Sequence, residues 1–203
     1  MAGAVVTAMV LTVLHPASIR PGPSWLLLVL EGALLVALVA VNPGKITRAS
    51  SVLRVLSIGL VAVLGISSMA STMLLIEELI EGGSVTNEAR PLLEAGVKVW
   101  AGNGLAFALL FWELDGGGPA QRAVSMPRYL DFAFPQQASP NAPPNWRPRL
   151  LDYLYLSYTN SIAFSPTDVM PFAPWAKIAM TLQSLVSFAI VGLVIARAVN
   201  VFQ

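Results

Sequence analysis

Residues 55–76 read VLSIGLVAVLGISSMASTMLLI, a run with no charged side chain. Coiled as an α-helix it is about 33 Å long, and about 20 apolar residues are enough to cross the roughly 30 Å hydrocarbon core of a bilayer. In lipid such a run must be a helix, because a helix pairs its own backbone N–H and C=O groups within one segment. The whole composition agrees. Of 203 residues, 11% are charged and 56% are hydrophobic, and the mean hydropathy is +0.70. A water-soluble domain carries about 25% charged residues. The outer surface of this chain is therefore expected to face lipid.

Together with that run, four more apolar segments predict an all-α, polytopic membrane domain of five transmembrane helices. Ala4–Leu14 is short for a full crossing. Trp25–Val41 carries Glu31 within it. Pro91–Leu114 has Glu94 and Lys98 near one end, and Ile178–Ala196 is uncharged and closed by Arg197. PGPS before the second helix, NPGK after it and GGGP at Gly116–Pro119 punctuate the joints. Trp25, Trp100, Trp112 and Trp175 are placed near helix ends, where an amphipathic ring suits the headgroup region. The opening MAGAVVTAMVLTVLHP lacks the basic start and small-residue cleavage site of a secretory signal and is read as a retained first helix. Residues 120–148 are rich in Pro, Arg and Gln and predict a long extramembrane loop without a core.

Lysines and arginines divide unevenly. Lys45, Arg48, Arg54, Arg122, Arg128, Arg147, Arg149 and Lys177 fall on one side of the predicted spans, and Arg20, Arg90 and Arg197 on the other. The excess marks the cytoplasmic face. The Pro-rich loop and the N-terminus are thus expected in the cytoplasm and the C-terminus outside, in a cell (inner) membrane.

Several functions are excluded by what is missing. There is no cysteine, so thiolate chemistry and cysteine metal sites are out of reach. His15, the single histidine, stands beside Pro16 as a boundary residue. A serine hydrolase would need a base near its serine, and metal hydrolysis would need a histidine cluster. No glycine-rich phosphate loop follows a strand. Neither an enzyme nor a cofactor is expected, and a net charge of +1 gives no reason to expect nucleic acid as a partner.

The functional question concentrates in Leu150–Phe164, LLDYLYLSYTNSIAF, and the turn after it. As a helix this segment is about 22 Å long, too short to cross. Tyr153, Tyr155 and Tyr158 suit an interface, the second half is polar, and Ser165, Pro166 and Thr167 break the helix before Asp168. A short helix, an irregular polar turn and a full span predict a re-entrant loop. Such backbone is tolerated at depth only where protein or water covers it.

Ser157–Pro171, SYTNSIAFSPTDVMP, resembles the pore segment of tetrameric potassium-type channels, in which a pore helix leads into T-V-G-Y-G-D and a later proline. Ala163–Asp168 takes the filter positions, Asp168 matches the aspartate after the filter, and Pro171 matches the proline. The chain as a whole also resembles a bacterial, mostly actinobacterial, family of small multi-pass membrane proteins, through FWELDGGGP at Phe111–Pro119 and DYLYLSYTNSIAFSPTDVMP at Asp152–Pro171. The channel resemblance divides the single domain, 1–203, into an N-terminal three-helix part, 4–88, and a pore-module-like part, 89–203. The latter comprises an outer helix, a loop over 115–149, a re-entrant helix over 150–164, a filter-like turn over 165–173 and an inner helix over 174–200. It implies Thr159, Asn160, Ser161, Phe164, Ser165, Pro166, Thr167 and Asp168 as pore-lining or filter-like residues, and a homo-oligomer, a tetramer by analogy. Ser165 and Thr167 replace both filter glycines and Pro166 replaces the tyrosine. Glycine lets carbonyls point inward and proline fixes φ, so a potassium-selective filter is not expected.

The polar residues admit two readings each. Asp168 is either a mouth carboxylate that attracts cations or an Asx-type cap. Thr159, Asn160 and Ser161 either line a path or bond helices together. Thr181, Gln183, Ser184 and Ser187 form either a polar stripe facing water or ordinary helix packing. Glu31 is an intramembrane acid and a functional candidate by its position; Lys98 is the nearest lysine by sequence depth, although Glu94 is its expected partner at i, i+4. Glu113 and Asp115, at a helix C-terminus, call for cationic partners such as Arg122, Arg147 or Arg149. Gly102 and Gly104 mark a face for close helix approach. Taken together, the expectation is a channel-like pore passing ions, chiefly monovalent cations, or small solutes. The alternatives are a non-conducting structural or accessory membrane protein, and a proton-coupled transporter using Glu31.

Overall fold

The computed structural model describes residues 2–41, 51–83, 85–125, 127, 130–163 and 168–201. Phe164, Ser165, Pro166 and Thr167 of the filter-like turn lie outside the described residues, as do Lys45, Arg48 and Arg128. The described chain is mostly helical. In order come α1 (Ala2–Leu14), α2 (Ser24–Val41), α3 (Ser51–Glu81), α4 (Ala89–Leu114), the short α5 (Pro119–Val124), β1 (Phe132–Ala133), α6 (Leu150–Ala163), β2 (Met170–Pro171) and α7 (Pro174–Val201).

Among the described residues, three segments are long and apolar enough to cross a bilayer: α3, α4 continued to Gly117, and α7. The apolar parts of α1 and α2 are shorter. α3 extends well beyond its uncharged run, taking in Arg54 at one end and Glu77, Glu78 and Glu81 at the other. α4 is the central post. In its most apolar window 61% is buried, against 28% for α3 and 33% for α7, and it packs against α1, α3, α6 and α7.

The small residues of α4 make that centrality possible, though not at the glycine expected. A Cβ at Gly104 would stand 2.5 Å from Tyr158 Cε1, and one at Gly96 would stand 2.9 Å from Val194 Cγ2. At Gly102 nothing lies within 4 Å. Gly102 therefore leaves the close-approach face, which belongs to Gly96 and Gly104. Trp100 is also displaced from its expected place. It stands well inside α4, with its ring 5.5 Å from that of Tyr158.

The molecule has two ends. At one, the α1–α2 connection meets the α3–α4 turn: Ser18 Oγ donates to Glu78 Oε2 at 2.8 Å, and Arg197 of α7 donates to Thr86 O and Asn87 Oδ1 at 3.2 and 2.9 Å. At the other, Ser57 of α3 meets Glu113 of α4, and α6 and α7 both begin. The β1–β2 pair fixes the latter point, with Phe132 opposite Pro171 and Ala133 opposite Met170. α6 thus enters from the loop end and the chain returns to that end before α7 starts.

The 120–148 region has a core, against expectation. Phe132 and Phe134 are 0% and 3% exposed and join Trp146, Tyr153 and Trp175 in an aromatic cluster with centroids 5.2 to 6.4 Å apart. Apolar residues isolated in a Pro-rich stretch found their partners on α6 and α7, which lie far away in sequence.

Candidate functional site

The inner half of α6 carries a buried polar network. Its helical spacing puts Ser157, Asn160 and Ser161 on one face, and that face meets Gln183 of α7. Asn160 Nδ2 donates to Gln183 Oε1 and to Met180 O, each at 2.9 Å. Gln183 Nε2 lies 2.6 Å from Ser157 Oγ, 2.9 Å from Ser161 Oγ and 3.1 Å from Ser157 O. Ser157 Oγ in turn donates to Gly104 O at 2.6 Å, and Tyr158 OH donates to Ala101 O at 2.9 Å. Ser157 and Gln183 are 0% exposed, Asn160 2% and Ser161 3%. A buried network with every member bonded is rigid and specific, since each group would be costly to leave alone. Here it ties a half-length helix to two long ones.

Beside this network a groove of about 550 Å³ opens along α7, lined by Asn160, Lys177, Thr181, Ser184, Leu185 and Phe188 among others. Ser184 Oγ lies 3.2 Å from Asn160 Oδ1, at the inner edge, and Thr181 Oγ1 donates to Lys177 O at 2.9 Å. The expected stripe of Thr181, Gln183, Ser184 and Ser187 therefore divides. Gln183 and Ser187 point into the protein, while Thr181 and Ser184 face the groove. Thr159 is half-buried and donates to carbonyls of its own helix, at 2.7 Å to Tyr155 and 3.0 Å to Leu156. Asp168 is exposed and accepts no hydrogen bond among the described residues.

At the loop end a second polar centre forms around Asp115. Gly116, Gly117 and Gly118 have φ of +54°, +83° and +94°, a left-handed run that side chains resist, and this turns the chain sharply off α4. Asp115 Oδ1 accepts from the N–H groups of Asp131 and Phe132 at 2.9 and 3.2 Å, and Oδ2 accepts from Tyr153 OH at 2.5 Å. Arg122 donates to the carbonyls of Asp115 and Trp112, capping α4, and its guanidinium carbon lies 5.3 Å from the Tyr153 ring centre. Arg147 donates to the carbonyls of Arg122 and Ala123 at 2.7 and 2.9 Å. The ion pairs expected between Glu113 or Asp115 and these arginines do not form within 4 Å. The carboxylates take hydroxyl and amide donors, Glu113 from Ser57 Oγ at 2.5 Å, and the arginines take backbone carbonyls. A helix C-terminus offers unpaired carbonyls, and a guanidinium serves them well.

Glu31 is 0% exposed, and neither carboxyl oxygen has a partner among the described residues. Lys98 is taken by Glu94 at 3.6 Å, which also accepts from Arg90 at 2.9 Å, so the expected i, i+4 pair forms and a Glu31–Lys98 pair does not. His15 is buried beside Lys98 of α4, and burial holds its imidazole below the ordinary pKa. Ser157 and Tyr158 carry the docking of α6 and were not singled out by sequence as polar contacts. The signal for Ser157 was present, since it falls one helical turn before Asn160–Ser161 on the side opposite the exposed Leu151, Tyr155 and Ile162. No group of three or more metal-ligating side chains occurs among the described residues. Compared with protein-family models, curated proteins and solved structures, the chain matches none.

Proposed function

We propose that the protein is a multi-pass membrane protein that passes small polar solutes or ions along the α6–α7 groove, working as a homo-oligomer. The observation that carries this reading is the half-length α6, which enters from the loop end, stops at mid-depth against Gln183 and leaves polar side chains along an open groove. In lipid such an arrangement is stable only if water or protein covers it. A second copy closing over the exposed Leu185 and Phe188 supplies that cover. In this reading α1 and α2 bring the crossings to five, and the basic excess at the loop end supports a cytoplasmic position for that end. Lys177 is the charged residue at the groove, so its interior selects by the neutral dipoles of Asn160, Thr181 and Ser184 and not by a cation-attracting ring. This departs from a potassium-type filter, as the missing glycines require.

The test is flux into proteoliposomes for monovalent cations, anions and small neutral solutes. Thr181→Leu fills the groove without touching the Gln183 network, since Thr181 Oγ1 bonds Lys177 O within its own helix. It should lower flux about tenfold or more while the melting temperature holds. Wild type no faster than empty liposomes for every solute would end the conduction reading. A second reading is then favoured, a non-conducting membrane scaffold, and its support is already visible: Ser157, Asn160 and Ser161 make their hydrogen bonds inside one chain.

A further inference from the structure

The α6–α7 groove runs inward from the loop end for about half the depth of a bilayer. Lys177 stands just before the uncharged stretch from Ile178 to Ala196, at the level of the headgroups. Phe188, at the far end of the lining, is about 16 Å deeper along α7. One leaflet of a roughly 30 Å hydrocarbon core has about that thickness. The groove therefore has the reach of one acyl chain, beside an outer face where α7 leaves Leu182, Leu185 and Phe188 exposed.

Its walls suit such a chain. Pro171, Met180, Leu185 and Phe188 line it with apolar surface. The polar groups between them give their protons to the protein. Thr181 Oγ1 donates to Lys177 O at 2.9 Å, and Ser184 Oγ lies 3.2 Å from Asn160 Oδ1. Asn160 Nδ2 donates to Met180 O and to Gln183 Oε1, each at 2.9 Å. An apolar occupant strands none of these donors, so it avoids the cost of a dry, unpaired polar group.

The headgroup end carries a single positive charge. Lys177 is exposed and makes no ion pair among the described residues. Among those residues no acid lines the groove. Two acids of the loop end are engaged with backbone, Asp131 Oδ2 accepting from Gly116 N at 2.9 Å and Asp152 Oδ2 from Arg149 N at 2.6 Å. An unpaired lysine at headgroup level, above an apolar groove one leaflet long, is complementary to a lipid phosphate with net negative charge.

We propose that the α6–α7 groove is a binding site for an anionic phospholipid of the loop-end leaflet, with one acyl chain lying along Met180, Thr181, Ser184 and Leu185 and the phosphate held by Lys177. A second copy closing over Leu185 and Phe188 roofs the chain without replacing it. The lipid site does not rest on conduction, since a non-conducting protein would hold the same chain. Where solutes use the groove, chain and solute exclude each other, and the lipid closes the path.

Native mass spectrometry of the purified protein tests it, after incubation in detergent with equal amounts of palmitoyl-oleoyl phosphatidylglycerol and phosphatidylcholine. Wild type should retain one phosphatidylglycerol per protomer and favour it about fivefold, the worth of one lysine beside an anionic headgroup. Lys177→Gln should still bind lipid but without preference. Thr181→Trp, which fills the groove, should lose both lipids. Both side chains are exposed, so neither variant disturbs the core. Equal retention of the two lipids by wild type would overturn the proposal, as would a preference that survives Lys177→Gln or wild-type retention by Thr181→Trp. A wild-type oligomer that carries no lipid would overturn it too, and would leave the second copy itself as the groove's filling. Flux is measured separately, so loss of the lipid site and loss of conduction are told apart.

Discussion

Gly104 and Gly102 are two residues apart on α4, and only Gly104 is under steric demand. A methyl group at Gly104 would meet a Tyr158 ring that cannot retreat, because its hydroxyl is bonded to Ala101 O at 2.9 Å and its face leans on Trp100. Gly104→Ala should cost about 1–3 kcal/mol, the usual penalty for overpacking, and lower the melting temperature by several degrees. Gly102→Ala meets open space and gains helix propensity of up to about 1 kcal/mol, so its melting temperature should hold or rise. Thermal denaturation of both variants in detergent, followed by circular dichroism, checks the pair. Equal losses would mean that Tyr158 does not set the distance between α4 and α6. Sequence could see that small residues cluster here. It could not see which of them faces a tyrosine, because that depends on helix rotation.

α6 shows the same dependence one level up. At 14 residues it is too short to hold as an isolated helix in water, and its stability comes from what it touches. Tyr153 and Leu156 enter the aromatic core, Tyr153 OH reaches Asp115, and the inner half hangs on Gln183. Gln183→Leu keeps the volume of α7 but takes one of two acceptors from Asn160 Nδ2 and removes the donor to Ser157 and Ser161. The expected loss is about 2–4 kcal/mol. Its signature should be local: hydrogen exchange across 150–163 should rise at least tenfold while the centres of α3 and α4 stay protected. Uniform protection along α6 would show that the aromatic end alone holds the helix. The length, polarity and terminating Ser-Pro of this segment were legible. Its bonding partners were not, for Gln183 is over twenty residues away and one of several polar residues on α7.

For the whole molecule, the two ends differ in charge as the order of spans requires. Arg54, Arg122 and Arg147 gather at the loop end, Arg122 and Arg147 on backbone carbonyls, while Arg20 and Arg197 serve carbonyls and a side-chain amide at the other. Because the chain has no cysteine, single cysteines report which end faces out. Ala138→Cys and Glu88→Cys are both at exposed positions. With an impermeant thiol reagent on intact cells, Glu88→Cys should label and Ala138→Cys should label only after lysis. The opposite pattern would reverse the orientation drawn from the basic excess.

The residues alone require a helical chain in which α3, α4 and α7 are long and apolar enough to cross a bilayer, with Pro and Gly closing the segments near where they end. Those properties are local: length, hydropathy and backbone freedom are set by the residues of each segment. Packing between distant segments gives the Pro-rich region its core through Phe132 and Phe134, hands Asp115 to Tyr153 instead of an arginine, and turns Thr181 and Gln183 in different directions. α3 and α7 are apolar around most of their circumference, so no stripe announces the inward face. Rotation and register then follow from packing against α4, where single contacts such as Gly96 on Val194 and Ser57 on Glu113 fix what composition leaves free.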